Sequence, residues 1–203
     1  MRPGAALRDI NRCKGMTLVI FLLPLAVAFF GVFFTIMLYN RLVTSRNRTR
    51  EAWSGIDVQL KRRASLIPNL VETVRGYATH EHEVFAEVTK ARGALASASG
   101  PIAAAMADQG LTAALGRLMA VAENYPQLQA VQSFVQLQTE LGDTEEKVAY
   151  ARQFYNVNAM DYNTRIQTFP GNQLAAWFKF EPFTYFAAEE SAQRDVQVNF
   201  ARA

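Results

Sequence analysis

Cysteine and histidine are almost missing from this chain. Cys13 is the only cysteine, and His80 and His82 are the only histidines in 203 residues. A lone cysteine excludes an intrachain disulfide and a cysteine-ligated metal site. It is not a lipobox cysteine either, because the apolar stretch follows it. With so few nucleophiles and bases, no Ser/His/Asp or Cys/His arrangement can be assembled, and no glycine-rich phosphate loop is present. His80-Glu81-His82-Glu83 is the one cluster that invites a metal. Zinc-binding histidines on a helix stand four apart on one face, whereas His80 and His82 point roughly 200° apart at about 100° per residue, and position 84 is Val. No metal, no cofactor and no catalytic residue is therefore expected, and the chain is read as no enzyme.

Charge is missing from Met16 to Tyr39, a run of 24 residues. As a helix this run is about 36 Å long, enough to cross a hydrocarbon core of about 30 Å. It is too long for the apolar region of a signal peptide, and no small-x-small cleavage site precedes the Arg-rich sequence after it. We therefore expect one retained span, with Pro24 inside it. Residues 1–15 form a basic tail, residues 16–39 the transmembrane helix, residues 40–190 a bundle domain and residues 191–203 a C-terminal tail.

Glycine and proline are sparse after the span, so the domain reads as helical and neither disordered nor low-complexity. The net charge of +3 sits entirely in residues 1–15, which leaves the rest of the chain neutral. Within that remainder, Asn40 to Arg63 carries seven basic residues against Glu51 and Asp57. The base is basic and the distal part acidic, a pattern suited to anionic lipid headgroups and unsuited to nucleic acid. Four basic residues precede the span and four follow it closely, so membrane orientation is undetermined.

Beyond the span, apolar residues at spacings of three, four or their sum run from Trp53 through Ile56, Leu60, Ile67, Leu70, Val74, Tyr77, Val84, Val88 and Ala91 to Leu95. This heptad-like seam predicts one helix from Asn40 to about Leu95, kinked at Pro68. Arg63 and Glu81 fall in phase with the seam, which predicts that each meets an opposite charge or a hydrogen-bonding partner on another helix or subunit. Ser97 to Pro101 reads as a break. The Ala-rich stretch that follows is expected to fold back at Gly110. Leu128, Val131, Val135 and Leu141 continue into a second seam, Val148, Ala151, Tyr155, Ala159, Tyr162, Ile166 and Phe169. One long helix from Pro126 to Phe169, or two broken at Gly142, would satisfy that pattern. In the first case the aromatics between Leu174 and Phe186 return to the membrane interface, with Trp177, Phe178 and Phe180 the contacts. In the second they cover the bundle's own core.

Two blocks resemble the LemA family of membrane-anchored bacterial proteins. One is Trp53-Ser54-Gly55-Ile56-Asp57-Val58-Gln59-Leu60-Lys61-Arg62-Arg63, continuing through Leu66-Ile67-Pro68-Asn69-Leu70-Val71-Glu72 to Gly76-Tyr77-Ala78. The other runs from Thr144 to Tyr150, then Arg152-Gln153-Phe154-Tyr155-Asn156 and Tyr162-Asn163-Thr164-Arg165-Ile166-Gln167-Thr168-Phe169-Pro170. The departures are a longer basic tail, Ala64 in place of a bulkier residue, and the Ala-rich middle. The resemblance implies an all-α fold, an N-terminal transmembrane helix followed by an antiparallel four-helix bundle with long coiled-coil-like helices, in the bacterial inner membrane. It narrows class and location but not mechanism.

Two functions follow as expectations. The first is a non-enzymatic scaffold that homo-oligomerises or holds a membrane partner, a quality-control protease among the partners the resemblance suggests. The second is a binding module whose bundle groove accepts a peptide, lipid or small ligand. The polar residues Asp57, Arg63, Asn69, Glu72, Glu81, Arg152, Tyr155, Asn156, Tyr162 and Asn163 are the candidate interaction or structural residues of either.

Overall fold

The computed structural model describes residues 4–186, and side chains from Pro24 onward. Among the described residues six helices follow one another: α1 (Gly4–Arg75), α2 (His82–Ser97), α3 (Pro101–Glu123), α4 (Pro126–Gln129), α5 (Gln132–Gln167) and α6 (Gly171–Phe178). Among the described residues there is no strand, so the fold is all-α. At about 1.5 Å per residue, the 72 residues of α1 extend about 108 Å. It is long and apolar enough to cross a membrane. The large side chains of its uncharged run point outward, Phe29 and Phe30 being 70% and 72% exposed. A soluble core helix would have buried them.

The distal half of α1, α2, α3 and α5 form an antiparallel up-down-up-down bundle. Cross-contacts give the directions: Arg75 lies over Phe85 and Arg92 reaches Ala64, Arg117 pairs with Glu87, and Ser45, Trp53 and Arg63 meet Asp161, Tyr155 and Glu145 in turn. The core runs from Ile56, Leu60, Ile67, Leu70 and Val74 on α1 to Leu111 and Leu118 on α3 and Val148 and Tyr155 on α5.

The long helix predicted from Asn40 to Leu95 ends at Arg75. Gly76, Tyr77 and Ala78 turn the chain through hydrogen bonds back to Glu72 and Val74, and α2 descends from His82. The seam therefore does not continue straight. Tyr77 is exposed and Phe85, not Val84, is the buried residue of the next turn. Pro68 lies inside α1 and leaves the carbonyl of Ala64 without its helical donor. Arg92 on α2 supplies one, its Nε donating to that oxygen at 3.1 Å.

The fold-back expected at Gly110 does not occur. α3 runs through it, because Ala104, Leu111, Ala114, Leu115 and Leu118 bury one continuous face, and that burial outweighs the roughly 1 kcal/mol that an interior glycine costs. The hairpin turns at Gly100 instead, whose φ of 83° suits glycine, with Pro101 opening α3. Nor does Gly142 break the last long helix. Leu141 and Thr144 on either side of it are buried and hold α5 straight through. The break lies earlier, at Ala130–Val131, between α4 and α5. In that first turn Phe134 is buried and Val135 exposed.

Because α2 and α3 meet at Gly100, they cover only the upper part of α1 and α5. Below them the two long helices pack alone, kept close by buried Ser45, Thr49 and Ala52 on α1. Thr49 Oγ1 donates to the Asn158 carbonyl at 3.2 Å. At the base Gly171 packs so tightly on the Arg165 carbonyl that a Cβ would come within 2.2 Å of it. α6 then lies against Leu38, Tyr39 and Leu42 of α1. Lys179 ends α6 in the left-handed region, φ 52° and ψ 51°, and the chain turns back up the bundle.

Candidate functional site

The returning segment, Phe180 to Phe186, has no regular secondary structure and fills one groove between α1 and α5. Four polar side chains of α5 hold it, and all four bind its backbone. Asn163 donates Nδ2 to the Phe183 carbonyl at 2.8 Å and accepts the Phe183 N–H on Oδ1 at 2.9 Å. Asn156 repeats the arrangement on Phe186, at 3.1 and 2.8 Å. Tyr162 donates its hydroxyl to the Glu181 carbonyl at 3.1 Å, and Tyr155 to that of Thr184 at 2.9 Å. The Tyr-Asn pair thus occurs twice, seven residues apart on one helix face. Seven helical residues rise about 10.5 Å, close to the roughly 10 Å spanned by three extended residues. Helix and segment are therefore in register over the whole contact.

Side chains of the segment supply the apolar half of the contact. Phe186 stacks on Trp53 with centroids 5.9 Å apart and meets Tyr155 edge-on at 6.1 Å. Phe183 packs edge-on against Tyr162 at 5.1 Å. Phe180 lies beneath Arg46, 5.0 Å from the guanidinium carbon to the ring centre. Burial pushes the phenols of both Tyr155 and Tyr162 above their ordinary value, so they remain neutral donors near neutral pH.

Just above Phe186 lies a charged cluster. Asp108 on α3, 2% exposed, accepts from Arg63 Nη1 at 2.7 Å on one oxygen and from Arg152 Nη2 on the other. Arg63 is itself buried, and Glu145 approaches its other terminal nitrogen only to 3.8 Å from an exposed position. The Nε of Arg63 and that of Arg152 have no hydrogen-bond partner among the described residues. Arg63, Asp108, Glu145, Val148 and Arg152 line a pocket of about 640 Å³, and Tyr185 and Phe186 form its rim. A second and larger groove, about 970 Å³, lies between α1 and α5 along Arg48, Glu51, Gly55, Lys147, Tyr150 and Phe154.

The structure thus brings six of the ten polar residues named from sequence into one region: Arg63, Arg152, Tyr155, Asn156, Tyr162 and Asn163. The other four stand apart. Asp57 pairs with Lys61 on the surface of α1 at 2.6 Å, and Glu72 with Arg75 at 3.0 Å. Asn69 is exposed, and its carbonyl caps the Thr73 hydroxyl. Glu81 is half-buried at the start of α2 and forms no ion pair among the described residues; the turn at Gly76 removes it from the seam. His80 lies in that turn and His82 begins α2. Of the aromatics, Trp177 is 78% exposed and Phe178 packs at a tilt against Tyr39, ring centres 4.8 Å apart. Phe180 is buried and does not face outward.

Sequence reasoning missed Asp108. It is the sole acid between Pro101 and Ala122, in phase with Ala104, Leu111 and Leu115, the same signal that singled out Arg63. Also unforeseen was that one stretch of aromatics divides its work, exposing Trp177 at the base and burying Phe180 and Phe186 in the groove.

These features define an all-α protein with an N-terminal helix suited to a membrane, whose bundle holds an extended stretch of its own chain. The chain belongs to the LemA family, matching it over residues 52–200. It is similar to magnetosome protein MamQ 1 of Paramagnetospirillum magneticum, 33% identical over 177 residues that cover 74% of this chain and 65% of that protein. MamQ of Magnetospirillum gryphiswaldense is 30% identical over the same shares. Protein LemA of Metamycoplasma hominis is 25% identical across 85% of this chain and 80% of its own length. The chain spans 65% of the length of the MamQ relatives.

Proposed function

We propose that this protein is a membrane-anchored, non-enzymatic interaction scaffold, whose α1–α5 groove receives an extended polypeptide by its backbone. The doubled Tyr-Asn pair carries this reading, since an asparagine side chain that donates to the C=O and accepts from the N–H of one residue engages any residue there except proline. In the resting protein the occupant is its own segment Phe180–Phe186. The exposed apolar face of α1 supports retention in a lipid bilayer as a single span of a bacterial inner membrane.

The test uses the protein truncated after Lys179, its N-terminal helix retained, in mild detergent, with a labelled peptide of residues 179–190. Saturable fluorescence anisotropy is expected, and Asn156→Ala with Asn163→Ala should abolish it. No binding by truncated protein with native helicity would overturn the reading.

A second reading, self-association, rests on a separate observation. Tyr150, Phe154, Val157 and Met160 line the outer face of α5, all more than half exposed, beside the 970 Å³ groove. Such a stripe suits a second copy or a membrane-resident partner, a protease included. Native mass spectrometry of the detergent-extracted protein tests it: a single copy in every charge state argues against homo-oligomerisation.

A further inference from the structure

Three large aromatics are left exposed where the chain rounds the base of the bundle. Phe169, just after α5, is 80% exposed, and Trp177 and Phe178, which close α6, are both more than half exposed. Facing water, such a group is a liability; at a membrane surface it is an anchor.

The register of the two long helices fixes their height. Ser45 bonds to Asp161 and Thr49 to the Asn158 carbonyl, so descending α1 and ascending the numbering of α5 keep pace. The same register puts Gln167, where α5 ends, level with about Asn40, and Phe169 just beyond it. Independently, the Phe178 ring packs on Tyr39, and Leu174 and Phe180 share a cluster with Leu38 and Leu42. Tyr39 is the last residue of the uncharged run. Centred on a hydrocarbon core of about 30 Å, that run of about 36 Å ends about 3 Å outside it, among the headgroups. A bilayer is a slab, so a group at that level meets its surface whichever way it points. The exposed side chains of Phe33, Phe34 and Met37 on α1 continue the apolar surface downward.

Charge agrees with that placement. Neither Asn40 to Arg50 nor Tyr162 to Phe180 contains an acid. Together they hold six basic residues, against the flanking Glu51, Asp161 and Glu181, an excess of three positive charges. Asp161 engages Arg165, whereas Arg41 and Lys179 are exposed and form no ion pair among the described residues. The left-handed backbone at Lys179 favours glycine, so local conformation does not account for the lysine.

We propose that Phe169 and α6 form an interfacial platform that seats the bundle on the membrane its own α1 crosses, with Trp177 and Phe178 among the headgroups and Arg41 and Lys179 on anionic phosphates. The proposal rests on the reading of α1 as a span and adds a second point of attachment. Two points fix the long axis of the bundle relative to the membrane. They also set the lower mouth of the α1–α5 groove, at Phe180, at the headgroups.

Spin labels on the full-length protein in lipid nanodiscs test this. In a Cys13→Ser background, single cysteines replace Met37 in the span, Ala176 beside Trp177, and exposed Asp143 high on α5. Collision with oxygen rather than with a water-soluble nickel chelate reports depth. In discs containing phosphatidylglycerol, the oxygen preference at position 176 should lie nearer that of 37 than that of 143. Phe169→Ser with Trp177→Ser, both surface changes, should bring it to the value at 143. Equal values at 176 and 143, with 37 still in lipid, would overturn the platform and leave the span intact. A nickel-accessible label at 37 would instead overturn the span reading. Discs of phosphatidylcholine alone, or Arg41→Gln with Lys179→Gln, should lower the preference at 176; no change in either would overturn the anionic-headgroup assignment.

Discussion

Replacing Asp108 by alanine isolates the charge cluster at the centre of the bundle. In the native protein its carboxylate serves two guanidiniums, one of them on the buried Arg63. With charge centres about 4 Å apart and an effective dielectric near 20, each pairing is worth about 4 kcal/mol, most of it offset by the desolvation of both ions. Removing the carboxylate leaves that desolvation in place and adds repulsion between Arg63 and Arg152. Asp108→Ala should therefore cost about 3–5 kcal/mol. Arg63→Ala leaves Asp108 still bound by Arg152, so about 2–3 kcal/mol is expected. Glu145→Ala removes only a long contact from an exposed group and should cost under about 1 kcal/mol. Urea unfolding of the full chain in mild detergent, followed by far-UV circular dichroism, gives these values as midpoint shifts at constant slope. Equal costs for Asp108→Ala and Glu145→Ala would refute the reasoning. Replacing Arg63, Asp108 and Arg152 together by Met, Leu and Met should recover most of the loss, since apolar residues of similar volume carry no ionic desolvation.

Three further outcomes are expected. Arg92→Ala should destabilise by about 1 kcal/mol by withdrawing the donor from the Ala64 carbonyl beneath Pro68, and adding Pro68→Ala, which restores the helical donor, should cancel most of that cost in the same assay. Asp161 is held below its ordinary value of 3.8, first by the Arg165 N–H, with the Ser45 hydroxyl helping and partial burial opposing; its stabilising contribution is present above that value and lost as the pH falls below it, so Asp161→Asn should flatten the acid limb of a midpoint-versus-pH curve. With Trp53→Phe the exposed Trp177 is the only indole, and its fluorescence should be quenched in liposomes of brominated lipid; an unquenched signal would mean that the base of the bundle stands clear of the membrane.

Helical content, the uncharged run and the phase of Arg63 were legible because each depends on local periodicity. The same logic failed where two helices share one sequence pattern. Tyr77 continues the seam in sequence but not in space, since the turn at Gly76 reverses the chain and resets which side faces the core. Gly110 and Gly142 look like breaks, yet both lie within helices because neighbours such as Leu111 and Leu141 are buried. Tyr155 and Tyr162 promised polar partners from within the bundle, and those partners are backbone carbonyls of a segment about 20–30 residues away, whose recruitment no local pattern encodes.

By itself the sequence determined the all-α class, the helix suited to a membrane and which helix faces are apolar, because these follow from composition and from the 3.6-residue period. Only the tertiary structure decided that Asp108 sits between Arg63 and Arg152, 45 and 44 residues distant, and that Phe180 to Phe186 fills the groove below the α2–α3 hairpin. The physical reason is length. α2 and α3 are too short to cover α1 and α5, so the uncovered apolar strip must be closed by whatever chain lies near its lower end, and the turn at Lys179 puts that segment there.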